Sequence, residues 1–178
     1  MAGAYFVTIC TQNRACLFGN IRDGLMMLNE YGEIARDEWT GLAARFHTVI
    51  FDVFQIMPNH IHGIIRIVGA TTARGAPNAI MPTNVIANVG ATLAVAQRAG
   101  ASPAPTTTIT VGDIVGAYKS LAYKRCLDLC KPKNVMLGRL WQRNYYEHII
   151  RNNEDYDRIA AYIVNNPQKW EEDELWAE

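Results

Sequence analysis

Two histidines, His60 and His62, are the residues whose type and spacing are best suited to chemistry. They lie one residue apart in MPNHIHGII, a run that otherwise has the composition of a buried strand. Side chains at positions i and i+2 of a strand share a face, so the two imidazoles point the same way and Ile61 faces the opposite side. Imidazole is the commonest protein ligand for transition metals, and the pair therefore predicts half of a metal site.

The sequence around the histidines narrows the kind of site. Cupin-like barrels and some metallo-hydrolases also carry an HxH motif, but they follow it with an acid or a third histidine. Here the chain continues as GIIRIV, which contains no acid. Pro58 and Asn59, immediately before the pair, predict a turn between two strands, so the histidines lie at the mouth of a hairpin.

Hydrophobic periodicity predicts the elements that position this pair. The order is strand, helix, strand, strand, helix, strand, helix, and the tight turn at 58–59 makes the second and third strands antiparallel neighbours. Pro132 and Pro167 end the second and third helices. The predicted strands are residues 5–11, 49–57, 60–68 and 140–150, and the helices begin near Asn29, Asp113 and Asn152.

Length and composition predict one soluble domain over residues 1–178. The four cysteines, of 178 residues, show no C-x-x-C spacing, which disfavours a zinc ribbon or a disulfide framework and predicts a reducing, cytoplasmic location. The start MAGAYFVTIC has no basic region typical of a signal peptide, and no apolar run reaches the length of a membrane-spanning helix, so no membrane partner is expected.

Residues 69–110 differ in kind from the rest of the chain. They include eleven alanines and eight threonines, with no aromatic residue and no acid. Such a segment buries little apolar surface, and we interpret it as a low-complexity surface insertion within the domain. A short helix around residues 84–95 is the alternative for part of it.

Charge is balanced overall, with 17 basic and 17 acidic residues, but it is unevenly distributed. The segment 117–151 holds eight bases and two acids, with aromatic residues between them, which favours either a nucleic-acid surface or a solvated helix face. The acidic run at 171–174 compensates much of this charge. For the nucleic-acid interpretation, the candidate contacts are Arg66, Lys119, Lys124, Gln142, Arg143 and Arg158.

Aromatic and polar residues of the last strand and helix are further candidates. Tyr146 and His148 share a face of the predicted fourth strand, where a core or substrate-contact role fits them better than catalysis. In the last helix Tyr162 and Asn166 are four residues apart and lie on one face, with Arg158 a turn earlier. Taken alone, Tyr162 is interpreted as a packing residue.

Four strings in register change that interpretation. YFVTICTQNR, MPNHIHGII, LWQRNYYEHIIRN and YIVNNP resemble, in this order, the single-tyrosine HUH transposases, in particular the branch called REP-associated tyrosine transposases. The resemblance spans almost everything outside the Ala/Thr insertion. It implies an α+β, ferredoxin-like fold, with an antiparallel sheet of about four to five strands and helices packed on it.

The same resemblance implies an activity and its residues. His60 and His62 would be the HUH pair, Asn166 the third metal ligand and Tyr162 the nucleophile. The implied function is a Mg²⁺- or Mn²⁺-dependent endonuclease and strand transferase that cuts single-stranded DNA at hairpins through a 5′-phosphotyrosine. A homodimer is expected, because a four-stranded sheet has open edges and relatives of this kind pair.

Two other functions remain open at the level of sequence. One is a domesticated protein that binds DNA hairpins on the same fold without cutting them. The other is a metal-dependent hydrolase that uses His60, His62 and an acid such as Glu147, with water as the nucleophile. A covalent protein–DNA adduct would distinguish the tyrosine endonuclease from both of these alternatives.

Overall fold

The computed structural model of this protein describes residues 3–68 and 109–176. Most of the predicted insertion, residues 69–108, lies outside the described residues. The strands and helices, in chain order, are β1 (Gly3–Cys10), β2 (Gly19–Arg22), β3 (Leu25–Leu28), α1 (Glu30–Gly41), β4 (Val49–Ile56), β5 (His60–Ile67), α2 (Val111–Cys130), β6 (Tyr146–Ile150) and α3 (Asn153–Asn165).

Four of the strands form one antiparallel sheet with the order β4-β5-β1-β6. Each of α1 and α2 connects two strands of this sheet that are not neighbours in it, which is the βαββαβ arrangement of a ferredoxin-like fold. The expected α+β class and antiparallel sheet are therefore confirmed, with four strands in the main sheet. In β1 and β5, Thr8 is opposite His62 and Cys10 is opposite His60.

Helices α1 and α2 cover one face of the sheet, here called the α1/α2 face. Its strand residues Val7, Ile9, Ile61 and Ile65 are fully buried in a core that also includes Trp39 of α1 and Tyr118 of α2. Gly63 leaves room for the Trp39 ring, because a Cβ at that position would come within 2.3 Å of it.

Helix α3 covers the opposite face, here called the α3 face. Ile159 and Ile163 of the helix pack on Ile64 of β5 and Ile150 of β6 in a smaller apolar cluster. Phe6 of β1 borders this cluster. His60 and His62 share the face with Ile64, so the histidine side chains lie beyond the apolar cluster and beside the C-terminal half of α3.

Polar caps define where the helices begin. Asn29 accepts hydrogen bonds from the first turn of α1, and Asn152 does the same for α3. At α2, Thr110 and Asp113 form a reciprocal capping box. The predicted starts of helices near Asn29 and Asn152 are thereby confirmed. Helix α1 ends at Gly41 and continues as a 3₁₀ turn over Leu42–Ala44.

Two predictions about the strands were wrong. None of the four predicted strands covers residues 19–28, but the chain forms the separate hairpin β2–β3 there. The predicted strand 140–150 begins only at Tyr146, although Trp141 makes an isolated bridge to Thr11. Its first half does not pair regularly, because the carbonyls of residues 142–144 accept hydrogen bonds from the Lys119 ammonium.

The described ranges contain no helix that combines the length and the apolar character needed to cross a bilayer.

Candidate active site

Strand β5 places both histidines on the α3 face, as their spacing predicts. His60 and His62 are 0% and 2% exposed, and their Nε2 atoms are 2.9 Å apart. Two ligands at right angles on one cation, each at roughly 2.1 Å, would have about this separation. The strand thus presents the two nitrogens in the arrangement that a single cation needs.

Asn59 fixes the tautomer of His60. The Asn59 Nδ2 donates to the carbonyls of Leu175 at 2.7 Å and Arg14 at 3.2 Å. Because both of those partners only accept, the Asn59 Oδ1 must be the atom that lies 2.8 Å from the Nδ1 of His60. The Nδ1 therefore carries the proton, and the His60 Nε2 keeps its lone pair for a metal.

Thr8 lies beside the Nδ1 of His62, as Asn59 lies beside the Nδ1 of His60. Its Oγ1 lies 2.9 Å from the Nδ1 of His62. A hydroxyl both donates and accepts, so Thr8 satisfies either tautomer of His62, including the one that leaves Nε2 unprotonated for a metal.

Both imidazoles are held in the neutral form. Burial lowers the pKa of His62 to about 4, although the charge of Asp173 opposes this change. Burial, with the charges of His62 and Arg14, lowers the pKa of His60 well below its ordinary value. Neutral imidazole is the form that binds a cation, so the site is in the ligating state at neutral pH.

Asp173 is the third member of this cluster. The potential ligand atoms of His60, His62 and Asp173 all lie within 4.8 Å of one another. Asp173 Oδ2 accepts hydrogen bonds from Asn166 Nδ2 at 2.6 Å and from the Tyr162 hydroxyl at 3.1 Å. One carboxylate therefore joins the histidines, the nucleophile candidate and the predicted amide ligand.

Asn166 also carries a buried acceptor without a partner. Within the described ranges, only two buried side-chain polar atoms lack a hydrogen bond, the Oδ1 of Asn166 and the Nε1 of Trp39. Trp39 offers a donor among apolar residues, which cannot bind a cation. The Asn166 Oδ1, in contrast, is an acceptor, and the same side chain is hydrogen-bonded to Asp173. Two imidazole nitrogens, an amide oxygen and a carboxylate oxygen are together a set of ligand atoms that suits a divalent cation.

Helix α3 brings Tyr162 to this cluster. The Tyr162 hydroxyl lies 3.3 Å from His62 Nε2, and 46% of the side chain is exposed. Burial, followed by the negative charge of Asp173, raises the pKa of Tyr162 to about 12. The phenol is therefore protonated at neutral pH and needs a nearby positive charge to become a nucleophile.

The C-terminal segment is tied down beside the histidines. Besides the bond from Asn59 to Leu175, the Arg14 guanidinium donates to the Glu174 carbonyl at 3.2 Å. The Trp170 ring lies 5.9 Å from the ring of His60. These contacts, made by Arg14, Asn59 and His60, hold the segment that carries Asp173 beside the histidines.

An open cleft of about 950 Å³ leads to Tyr162 and His62. Of the predicted DNA contacts, Gln142 and Arg158 line it, and Arg143 is an exposed neighbour of Gln142. Arg158 pairs with Asp155 rather than with Tyr162. Its location makes it a candidate for contact with a phosphate at the mouth of the cleft.

The other three predicted DNA contacts lie away from the cleft lining. Lys119 uses its three N–H donors on the carbonyls of residues 142, 143 and 144, so it braces the cleft wall and has no donor left for a phosphate. Arg66 pairs with Asp52 at 3.4 Å. Lys124 is an exposed residue of α2, which packs on the opposite face of the sheet.

Glu147 does not join the histidines. It is opposite Val7 of β1, whose side chain is buried in the α1/α2 face, so Glu147 and His62 lie on different faces of the sheet. The Glu147 carboxylate instead accepts a hydrogen bond from the Tyr145 hydroxyl at 2.9 Å. The prediction of a hydrolase site built from Glu147 and the two histidines is therefore wrong.

Asp173 is the site residue that the sequence analysis missed. It belongs to the run 171–174, in which every residue is acidic and none stands out by spacing. Its contacts with Tyr162 and Asn166 depend on the 3₁₀ segment Asn166–Glu172, which turns the chain back toward α3. No spacing within this run distinguishes Asp173 from its acidic neighbours, so the sequence held no usable signal for it.

An uncharacterized protein of Haemophilus influenzae (strain ATCC 51907 / DSM 11121 / KW20 / Rd) is 38% identical over 178 residues, which is 99% of this chain and 86% of that protein. The chain belongs to the family of this protein. No protein-family model matches the sequence.

A solved structure of a REP-associated tyrosine transposase bound to a REP hairpin has the same fold as this protein. The TM-score is 0.56 at 16% identity, with 94% of this chain and 68% of that chain covered. The likeness shows a shared fold, in agreement with the α+β, ferredoxin-like arrangement that the resemblance implied. Membership of the single-tyrosine HUH transposases, and of their REP-associated branch, stays a prediction.

Proposed function

We propose that this protein is a metal-dependent endonuclease and strand transferase that acts on single-stranded DNA at hairpins, with Tyr162 as the nucleophile. The observation that carries the proposal is the 3.3 Å contact between the Tyr162 hydroxyl and the His62 Nε2, on facing elements of the fold. A tyrosine placed only for packing has no need to direct its hydroxyl at a pair of metal-binding nitrogens.

The residues for a cation are His60, His62 and Asn166, with Asp173 as an additional oxygen ligand. Mg²⁺ or Mn²⁺ held there would polarise the scissile phosphate and favour the phenolate. Because the histidines and the amide are neutral, they leave most of the cation's charge for the phosphate. Asp173 is the one ligand that reduces it.

The reaction itself belongs to Tyr162. Its oxygen attacks the phosphorus, the bond from phosphorus to the 3′ oxygen breaks, and the 3′ end leaves as a hydroxyl after taking up a proton. Asp173, which already accepts the Tyr162 hydrogen bond, is placed to receive the phenol proton. The product is a 5′-phosphotyrosine and a free 3′ end.

The same residues support strand transfer. One phosphodiester replaces another, so the free energy of the bond is retained in the adduct. The 3′ hydroxyl of a second strand can then attack the phosphotyrosine and release Tyr162, which reverses the first step without ATP.

Three features support single-stranded DNA hairpins as the substrate. The sequence motifs resemble a family that acts on them, and the transposase of similar fold was solved with a REP hairpin. The cleft is also open, and its lining combines the acids Glu172, Asp173 and Glu174 with Arg158 and Lys169, the two residues that offer positive charge to a phosphate backbone.

The test is covalent capture. Wild-type protein and the Tyr162→Phe variant are mixed with 5′- and 3′-labelled hairpins and Mn²⁺, and the products are separated on denaturing gels. We expect an adduct with wild type and none with Tyr162→Phe, because the substitution removes only the attacking oxygen. Tyr156→Phe, on the same helix, is the matched control and should form the adduct.

Each alternative has its own result. Hairpin binding without an adduct in wild type would support the non-catalytic hairpin-binding protein. Cleavage without an adduct would point to water as the nucleophile. An adduct retained by Tyr162→Phe would refute the assignment of the nucleophile.

We also propose a homodimer. In the described sheet β4 and β6 are the outer strands, and each has an edge on which a second copy could pair. Light scattering at micromolar concentration gives the mass that decides it.

A further inference from the structure

Tyr146 forms a second aromatic surface in the cleft. It lies in β6 on the same face of the sheet as Thr8 and His62, and its side chain is 58% exposed. Neither of the two apolar cores includes it. It lines the cleft instead.

The Phe6 ring contacts both Tyr146 and Tyr162, the proposed nucleophile. The Phe6 ring centroid is 6.2 Å from that of Tyr146, at an interplanar angle of 69°, and also 6.2 Å from that of Tyr162, at 87°. Since both tyrosines contact one ring, they occupy neighbouring positions along the cleft. A phosphate at Tyr162 and a group stacked on Tyr146 would then belong to adjacent parts of one ligand.

Two amides face the same space. Gln142 and Asn144 line the cleft next to Tyr146, and the Lys119 ammonium holds each of their backbone carbonyls at 3.0 Å. In the ranges that the structure describes, neither side-chain amide has a hydrogen-bond partner. Each therefore has two N–H donors and a carbonyl acceptor available, on a backbone that is held in place.

We infer that Tyr146 is the stacking platform for an unpaired nucleobase beside the scissile phosphate, and that the amides of Gln142 and Asn144 contact the edge of that base. The inference rests on the proposed function. Every nucleobase has a face that stacks on an aromatic ring, and amides pair with the donors and acceptors of base edges. The base flanking the cleavage point is thus a determinant of which strand is cut.

Paired changes in protein and DNA test this contact. Hairpin substrates carry an abasic site at each position flanking the cleavage point, and cleavage is measured for wild type and Tyr146→Ala. We expect Tyr146→Ala to lower kcat/KM roughly 10- to 100-fold on intact DNA. An abasic site at one flanking position should cause a similar loss in wild type and almost no further loss in Tyr146→Ala.

Two variants serve as comparisons. Tyr146→Phe keeps the ring and should remain within a few fold of wild type. Ile149→Ala removes an exposed residue of the same strand that points to the opposite face, and it should leave cleavage unchanged. Equal cleavage by Tyr146→Ala and wild type would overturn the inference, and so would additive losses in the paired experiment.

A binding measurement makes the outcome independent of catalysis. DNA with 2-aminopurine at the flanking position is titrated with Tyr162→Phe protein, and stacking should quench its fluorescence. The quenching should disappear with Tyr162→Phe/Tyr146→Ala. Quenching that is the same in both proteins refutes the stacking platform, whereas missing adducts in wild type refute the proposed function.

Discussion

The two faces of the four-stranded sheet come from the same strands but differ in the residues that they bury. On the α1/α2 face, β1 and β5 contribute Val7, Ile9, Ile61 and Ile65, all fully buried. On the α3 face, the alternate positions of the same two strands include Thr8, His60 and His62, which are almost as deeply buried.

The difference shows that apolar and polar residues on the same strands have different effects on the stability of the fold. Apolar burial stabilises the fold in proportion to the area removed from water, whereas a buried polar group costs free energy unless it is hydrogen-bonded. On the α3 face the three polar strand residues all have partners, and the unpartnered acceptor is that of Asn166. The α1/α2 face therefore carries the larger apolar core, and the α3 face combines a smaller apolar cluster with hydrogen-bonded candidate ligands for a cation.

The largest effect is expected from His62→Ala. This change removes one of two converging nitrogens, so DNA cleavage should fall below detection and the calorimetric signal of Mn²⁺ binding should be lost. The melting transition should remain cooperative, because the α1/α2 face is untouched. Undiminished cleavage by the variant would contradict the metal assignment.

Gly63→Ala is the counterpart on the other face, one residue along the same strand. The new Cβ would lie 2.3 Å from the Trp39 ring, so we expect the free energy of unfolding to drop by about 1–3 kcal/mol or more. Urea denaturation measures the change. Mn²⁺ affinity of the folded protein should stay the same.

Gly116→Ala is the matched control for that substitution. Gly116 lies inside α2, and a Cβ there would meet nothing within 4 Å. We expect a gain of roughly 0.5–1 kcal/mol, because alanine favours the helix. A loss comparable to that of Gly63→Ala would show that strand packing against Trp39 is not the cause.

Thr8→Val is a finer probe of the α3 face. Valine keeps the shape of threonine but removes the hydroxyl beside His62 Nδ1, so Mn²⁺ should bind roughly 10- to 100-fold more weakly. Titration calorimetry measures this loss. If affinity is unchanged while stability falls, Thr8 only satisfies a buried histidine and does not orient it for a metal.

Much of this arrangement follows from local sequence pattern. The alternation of a strand is enough to put His60 and His62 on one face and Ile61 on the other, and the helical repeat is enough to align Tyr162 with Asn166. Asn29 and Asn152 were predictable as caps because short polar side chains bond the first turn of a helix. These relations involve residues only a few positions apart, where backbone geometry decides which side chains are neighbours.

Tertiary structure decided the contacts between distant segments. Tyr162 meets His62 across 100 positions of sequence, and Asp173 joins them in a segment whose Glu174 and Leu175 carbonyls accept hydrogen bonds from Arg14 and Asn59. Lys119 was predicted as a DNA contact, but in the structure its ammonium donates to three backbone carbonyls. Periodicity assigns a residue to a face, but packing, loop closure and the satisfaction of buried polar groups decide which faces and tails come together.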